Sequence, residues 1–132
     1  MRRLIVVPSL VFLFSAMALA FASPAGKYVG TWTGAGGEGA IKIALAPAAA
    51  QGEWTADVSF TLGEQDVKCK TVSVKVDGDR LELSYDFTIG ALQARSTVIG
   101  KIKETTMEGD YTTKGADGSS VDAGTWKVAL QK

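Results

Sequence analysis

Histidine is absent from all 132 residues of this chain, and cysteine occurs once, at Cys69. The first absence removes Ser-His-Asp triads, Cys-His pairs and the ordinary histidine-bearing zinc sites together. The second excludes an internal disulfide, so a hydrophobic core must carry the stability. A lone thiol of this kind is expected as a buried small hydrophobe rather than a reactive group. Basic clusters are also missing. Outside the first residues the only close pairs are Lys68/Lys70 and Lys101/Lys103, both at strand spacing and read as solvated strand faces. With 14 basic and 14 acidic side chains interspersed, nothing here suits a nucleic acid or an anionic membrane surface. Helical periodicity is the last absence. No window beyond the N-terminal segment keeps a 3.6-residue repeat for three turns.

One long apolar run is present, and it opens the chain. Arg2 and Arg3 precede Leu4 to Ala20, followed by the small-x-small site Ala20-Phe21-Ala22 and Ser23-Pro24. That order is the layout of a secretory signal, with cleavage expected after Ala22 and export to the periplasm or beyond. The rival reading is an uncleaved membrane anchor, because the run approaches the length that spans a bilayer. Cleavage leaves 110 residues with 12 basic and 14 acidic side chains, enough for one domain with one core. The expected product is a monomer at residues 23–132, with no stable membrane insertion once residues 1–22 are removed.

A period of two governs that segment. "EWTADVSFTLG" places Trp54, Ala56, Val58, Phe60 and Leu62 on one face, and "RLELSYDFTIG" does the same with Leu81, Leu83, Tyr85, Phe87 and Ile89. Ile41, Ile43 and Leu45 alternate likewise. Such alternation means antiparallel strands with one buried and one wet face. Asp77-Gly78 is the strongest hairpin signal. Eight strands are predicted, at 27–34, 38–46, 53–62, 66–76, 80–88, 91–102, 106–113 and 121–131. The fourth breaks its own parity. Val67 and Cys69 are odd, whereas Val72, Val74 and Val76 are even, so a bulge or kink is expected at Lys70-Thr71. Otherwise Val67 and Cys69 belong to a separate short connection.

Eight sequential antiparallel strands make a sandwich or an up-and-down barrel. A repeated unit favours the barrel: Gly30-Thr31-Trp32 in the first strand and Gly124-Thr125-Trp126 in the last. A glycine two residues before an aromatic shares its face, so the ring can fold over bare backbone, and glycine lets a strand coil sharply. The first and last strands are therefore expected to pair and close the sheet, removing its exposed edges.

"GKYVGTWTG" resembles the N-terminal Gly-x-Trp strand of the calycin-type barrels: lipocalins, fatty-acid-binding proteins and avidins. With "VSVKVDGDRLEL", "VIGKIKETTMEGDY" and the terminal "GTW", residues 27–131 resemble the lipocalin-like domain of secreted bacterial proteins, found alone or beside exported hydrolase domains. The resemblance implies an eight-stranded barrel and assigns no ligand and no functional residue. Lipocalins proper add a helix after the barrel and often disulfides, and neither is legible here.

Candidate chemistry is thin. Asp57, Glu82, Asp86 and Asp110 fall on the wet face, where no carboxylate pair converges as a glycosidase would need. "DGDR" and "ADGSSVD" lack the ligand count of a calcium loop and read as polar turns. "GAGGEG" opens no helix, so it offers no phosphate cradle and reads as the first hairpin, at the barrel mouth. The inward aromatics remain. Trp32 and Trp126 are expected to fill the interior, whereas Trp54, Phe60, Tyr85, Phe87 and Tyr111 are the candidates to line a cavity that is apolar with hydroxyl and indole handles. Arg95 is expected outside. The functional expectation is a secreted or periplasmic non-catalytic binding protein, without cofactor or metal, holding a small apolar or aromatic ligand. The alternative is a protein-interaction module, such as an inhibitor or accessory domain of an exported hydrolase.

Overall fold

The structure, a computed structural model, describes residues 24–50 and 52–131; the expected signal segment, residues 1–22, lies outside the described residues. Nine strands form one antiparallel sheet: β1 (Gly26–Gly34), β2 (Gly37–Pro47), β3 (Trp54–Leu62), β4 (Gln65–Lys68), β5 (Lys70–Asp77), β6 (Arg80–Ile89), β7 (Leu92–Lys103), β8 (Thr106–Gly115) and β9 (Ser120–Leu130). The order across the sheet is β4-β3-β2-β1-β9-β8-β7-β6-β5. Its two edge strands are separated by Cys69 alone. A sheet whose edges are one residue apart must curl, and this one curls into a half-barrel.

The first and last strands pair as expected. Trp32 stands opposite Trp126, and Gly34 opposite Gly124. Alternation places the inner face as the sequence implies: Ile41, Ile43 and Leu45 from β2, Ala56 and Val58 from β3, Leu81, Leu83 and Tyr85 from β6 are all buried. Burying a side chain such as Leu81 or Leu83 completely contributes about 1.5–3 kcal/mol, so this lower layer holds the sheet in its curl. Turn chemistry sets the register. Asp77 pairs with Arg80 across Gly78-Asp79, and Gly78 has a φ of 63°, a left-handed conformation that glycine adopts without steric penalty.

The segment expected as one strand at 66–76 is two, which accounts for nine strands rather than eight. β4 pairs with β3, and β5 pairs with β6. The break falls at Cys69, and the bulge falls just beyond the expected site. Thr71 stands opposite Tyr85 and Ser73 opposite Ser84, so Val72 is the extra residue. It is 44% exposed, whereas Val74 and Val76 pack on the core. The extra residue resolves the parity conflict by reversing which positions face inward. The same corner bonds to β3 where β4 ends. The Cys69 amide donates to the Val58 carbonyl at 3.1 Å, and the Thr71 hydroxyl donates to the Ala56 carbonyl at 2.6 Å.

The glycines of the repeated unit act differently from the expectation. A Cβ on Gly30 would meet the Lys127 carbonyl and the Val128 Cα, and one on Gly124 would meet the Thr33 carbonyl and the Gly34 Cα. Both glycines therefore make room for the facing backbone of the paired strand. The tryptophan rings lie over other glycines. Trp32 reaches across Gly39 to donate from Nε1 to the Thr61 carbonyl at 3.1 Å. Trp126 covers Gly100 and donates to the Asp110 carbonyl at 3.1 Å. Each ring thus extends sideways across neighbouring strands instead of folding along its own.

Candidate functional site

The two ends of the half-barrel differ. At the end holding the β1 start and the β8 start, Tyr28, Leu45, Met107 and Val128 are buried and the interior is filled. The Tyr28 hydroxyl closes that end by donating to the Pro24 carbonyl at 2.8 Å. At the other end, where β1, β3, β6 and β8 finish, a cavity of about 160 Å³ opens to solvent.

Its walls are aromatic. Tyr111, Trp32, Phe60, Phe87 and Tyr85 form a continuous series of ring contacts with centroids 6.2, 6.0, 5.0 and 6.2 Å apart, the first three edge-to-face. Such edge contacts are favourable beyond simple area burial and hold the rings in fixed orientations. Ile41, Val98 and Trp126 complete the apolar lining, and Leu62, Ile89, Leu92 and Val121 stand at the rim. Leu92 and Val121 are 39% and 43% exposed, so apolar surface continues from the cavity out into water.

Four of the five sequence-predicted residues, Phe60, Tyr85, Phe87 and Tyr111, line this one cavity. Trp54 does not. It sits at the start of β3, opposite Pro47, and packs half-buried on the filled end. Alternation put it on the correct face but is silent on height along the strand. Trp32 and Trp126, expected only as filling, are buried and also line the cavity. Asp57 and Asp110 are exposed on the outer face, and Glu82 and Asp86 share that outward parity. Arg95 lies outside as expected, its guanidinium donating to both carboxylate oxygens of Asp86 at 2.6 and 3.1 Å.

Three polar groups inside were not foreseen. Ser96 and Thr113 are 3% and 5% exposed, and their hydroxyls share a hydrogen bond of 2.5 Å. Tyr85 is hydrogen-bonded to Ser96; burial, together with the neighbouring Cys69 thiol, holds its hydroxyl above the ordinary phenol range despite that bond. Burial likewise pushes the Cys69 thiol up to about 12, so it stays protonated at neutral pH.

Asp122 is the third. Two hydrogen bonds fix it: Tyr111 donates its hydroxyl to Oδ2 at 2.7 Å, and the Gly36 amide donates to Oδ1 at 3.0 Å. Burial pushes its pKa up, but the bonds from Tyr111 and Gly36, with the Ala123 and Ala35 amide dipoles close by, outweigh it and hold the carboxyl below the usual range. Tyr111 moves the opposite way, raised by burial and by the adjacent carboxylate. The signal was in the sequence: Asp122 has the parity of Trp126 and Val128 and must share their face. The expected strand at 121–131 already held Asp122, but reading "ADGSSVD" as a polar turn when weighing its chemistry passed over that parity. Only the first half is a turn, with Asp117 accepting from the Ser119 amide at 3.0 Å.

Among the described residues, no group of three or more cysteine, aspartate or glutamate side chains is arranged to hold a metal ion. No family model, no curated protein and no solved structure matches this chain.

Proposed function

We propose that this chain is an exported, monomeric, non-catalytic binding protein, a lipocalin-like barrel that holds a small apolar or aromatic molecule in the cavity at its mouth. The observation that carries the reading is the cavity itself, walled by six aromatic rings and bordered by exposed Leu92 and Val121. Its size suits one aromatic ring, since a cavity of about 150 Å³ accepts benzene. A long acyl chain is too large for it. Barrel closure is supported by the Cys69 and Thr71 bonds to β3, which tie the β5 edge to β3 beyond the end of β4. The Arg2-Arg3 head, apolar run and Ala-x-Ala site support export. The outward parity of Asp57, Glu82, Asp86 and Asp110 supports binding without catalysis, because it leaves Asp122 as the one carboxylate at the cavity among the described residues.

Tryptophan emission tests the reading. Ethylbenzene and benzyl alcohol are expected to shift or quench emission and to raise the melting temperature with occupancy, whereas decanoate does neither. Trp32→Phe and Trp126→Phe should each reduce the response, and Trp54→Phe should preserve it. Unchanged emission and melting across the panel would overturn the carrier. The exposed rim of Leu92 and Val121 then supports the second reading, a module that docks this end of the barrel against a protein partner.

A further inference from the structure

Among the described residues the cavity lining carries one formal charge, that of Asp122, and its sign selects among ligands. Resting on the reading of the cavity as a ligand site, we infer that it takes a small aromatic amine, the ring among the aromatic walls and the ammonium at Asp122. Among the described residues no lysine or arginine lines the cavity, and the two ion pairs found there, Arg95–Asp86 and Lys101–Asp79, do not involve Asp122. Its carboxylate accepts from two neutral donors, the Tyr111 hydroxyl and the Gly36 amide. Each carboxylate oxygen accepts about two hydrogen bonds, so Oδ1 and Oδ2 keep capacity toward a third donor. A partly desolvated anion with free acceptor sites and no cation nearby is complementary to an ammonium group. The rings beside it favour the same charge. Tyr111, bonded to the carboxylate, meets Trp32 edge-to-face at 6.2 Å, and a cation is attracted to aromatic ring faces. A ligand carboxylate would instead meet like charge. The titratable groups that face Asp122 are Tyr111 from β8 and, across the cavity, Tyr85 from β6; both are raised phenols and stay neutral at pH 7. The β1–β2 turn contributes amides alone.

Three near-isosteres test this by calorimetry on the folded chain at pH 7: benzylamine, ethylbenzene and phenylacetate. A charge-assisted bond should place benzylamine about tenfold or more tighter than ethylbenzene, with phenylacetate weakest. In Asp122→Asn the amine preference should vanish while ethylbenzene binds as before. Asp57→Asn removes an exposed carboxylate on the outer face, outside the cavity lining, and should keep the preference. The unmodified chain gives an independent readout: the preference should persist at pH 5 and fade as acid protonates Asp122, below the ordinary carboxylate range. Equal binding of benzylamine and ethylbenzene, or a preference that survives Asp122→Asn, overturns the amine assignment and leaves the cavity reading standing. If none of the three binds, both fall.

Discussion

At the scale of single residues, two glycines carry more than their composition suggests. A side chain on Gly30 or Gly124 would run into the backbone of the facing strand, which cannot move aside as a flexible side chain can. Gly30→Val and Gly124→Val should each destabilise the domain by about 1–3 kcal/mol, toward the upper end because backbone must shift. Urea unfolding reads this directly, and neutral substitutions at both positions would show that β1 and β9 do not approach as closely as described. Their importance was legible in the repeated Gly-x-Trp unit, but the reason was not. Parity along one strand says which side a glycine faces and nothing about its neighbours, so the rings were assigned to their own glycines. In the structure Trp32 crosses Gly39, and Trp126 covers Gly100. The inner carboxylate shows the same limit. Asp122 obeyed the parity of β9 and lay in the expected strand at 121–131, yet reading "ADGSSVD" as a polar turn left it out of the candidate site.

At the scale of elements, alternation was informative wherever one face is wet. The boundaries of β1, β2, β3 and β6 to β9 fall within a few residues of those expected, because each strand is bracketed by turn residues and the β8–β9 register shift at Thr113/Lys114 lies near the strand ends. The β4–β5 segment shows where pattern reading stops. Its conflicting parities announced an irregularity, but whether that meant a bulge or a break depends on which strand each half pairs with, and pairing is a tertiary fact. Both occur, the break at Cys69 and the bulge at Val72. The pairing of β1 with β9 has the largest consequence for stability. Removing residues 123–132 strips partners from β1 and β8 together and uncovers Tyr28, Trp32 and Met107. The truncated chain should therefore lose its cooperative thermal transition instead of melting as a trimmed domain. An unchanged melting temperature would mean that β9 is dispensable to the curl.

At the scale of the whole molecule, the proposed function rests on uneven filling. The same inward pattern runs the full height of the sheet, yet one end is closed by Tyr28, Leu45, Met107 and Val128, while the other leaves about 160 Å³ among aromatic rings. Height along the strand, which alternation cannot encode, decides which inward aromatics meet the cavity; Trp54 and Phe60 share β3 and a face but stand at opposite ends. The central claim is that this cavity is where a ligand sits. Methyl resonances report on it residue by residue, because Ile89, Leu92, Val98 and Val121 line it, whereas Val72 and Ile99 are exposed but outside its lining. On titrating the methyl-labelled chain with benzyl alcohol, the first four should shift together along one saturable curve while Val72 and Ile99 stay fixed. Shifts confined to Val72 and Ile99, or no saturable shift at all, would contradict the account.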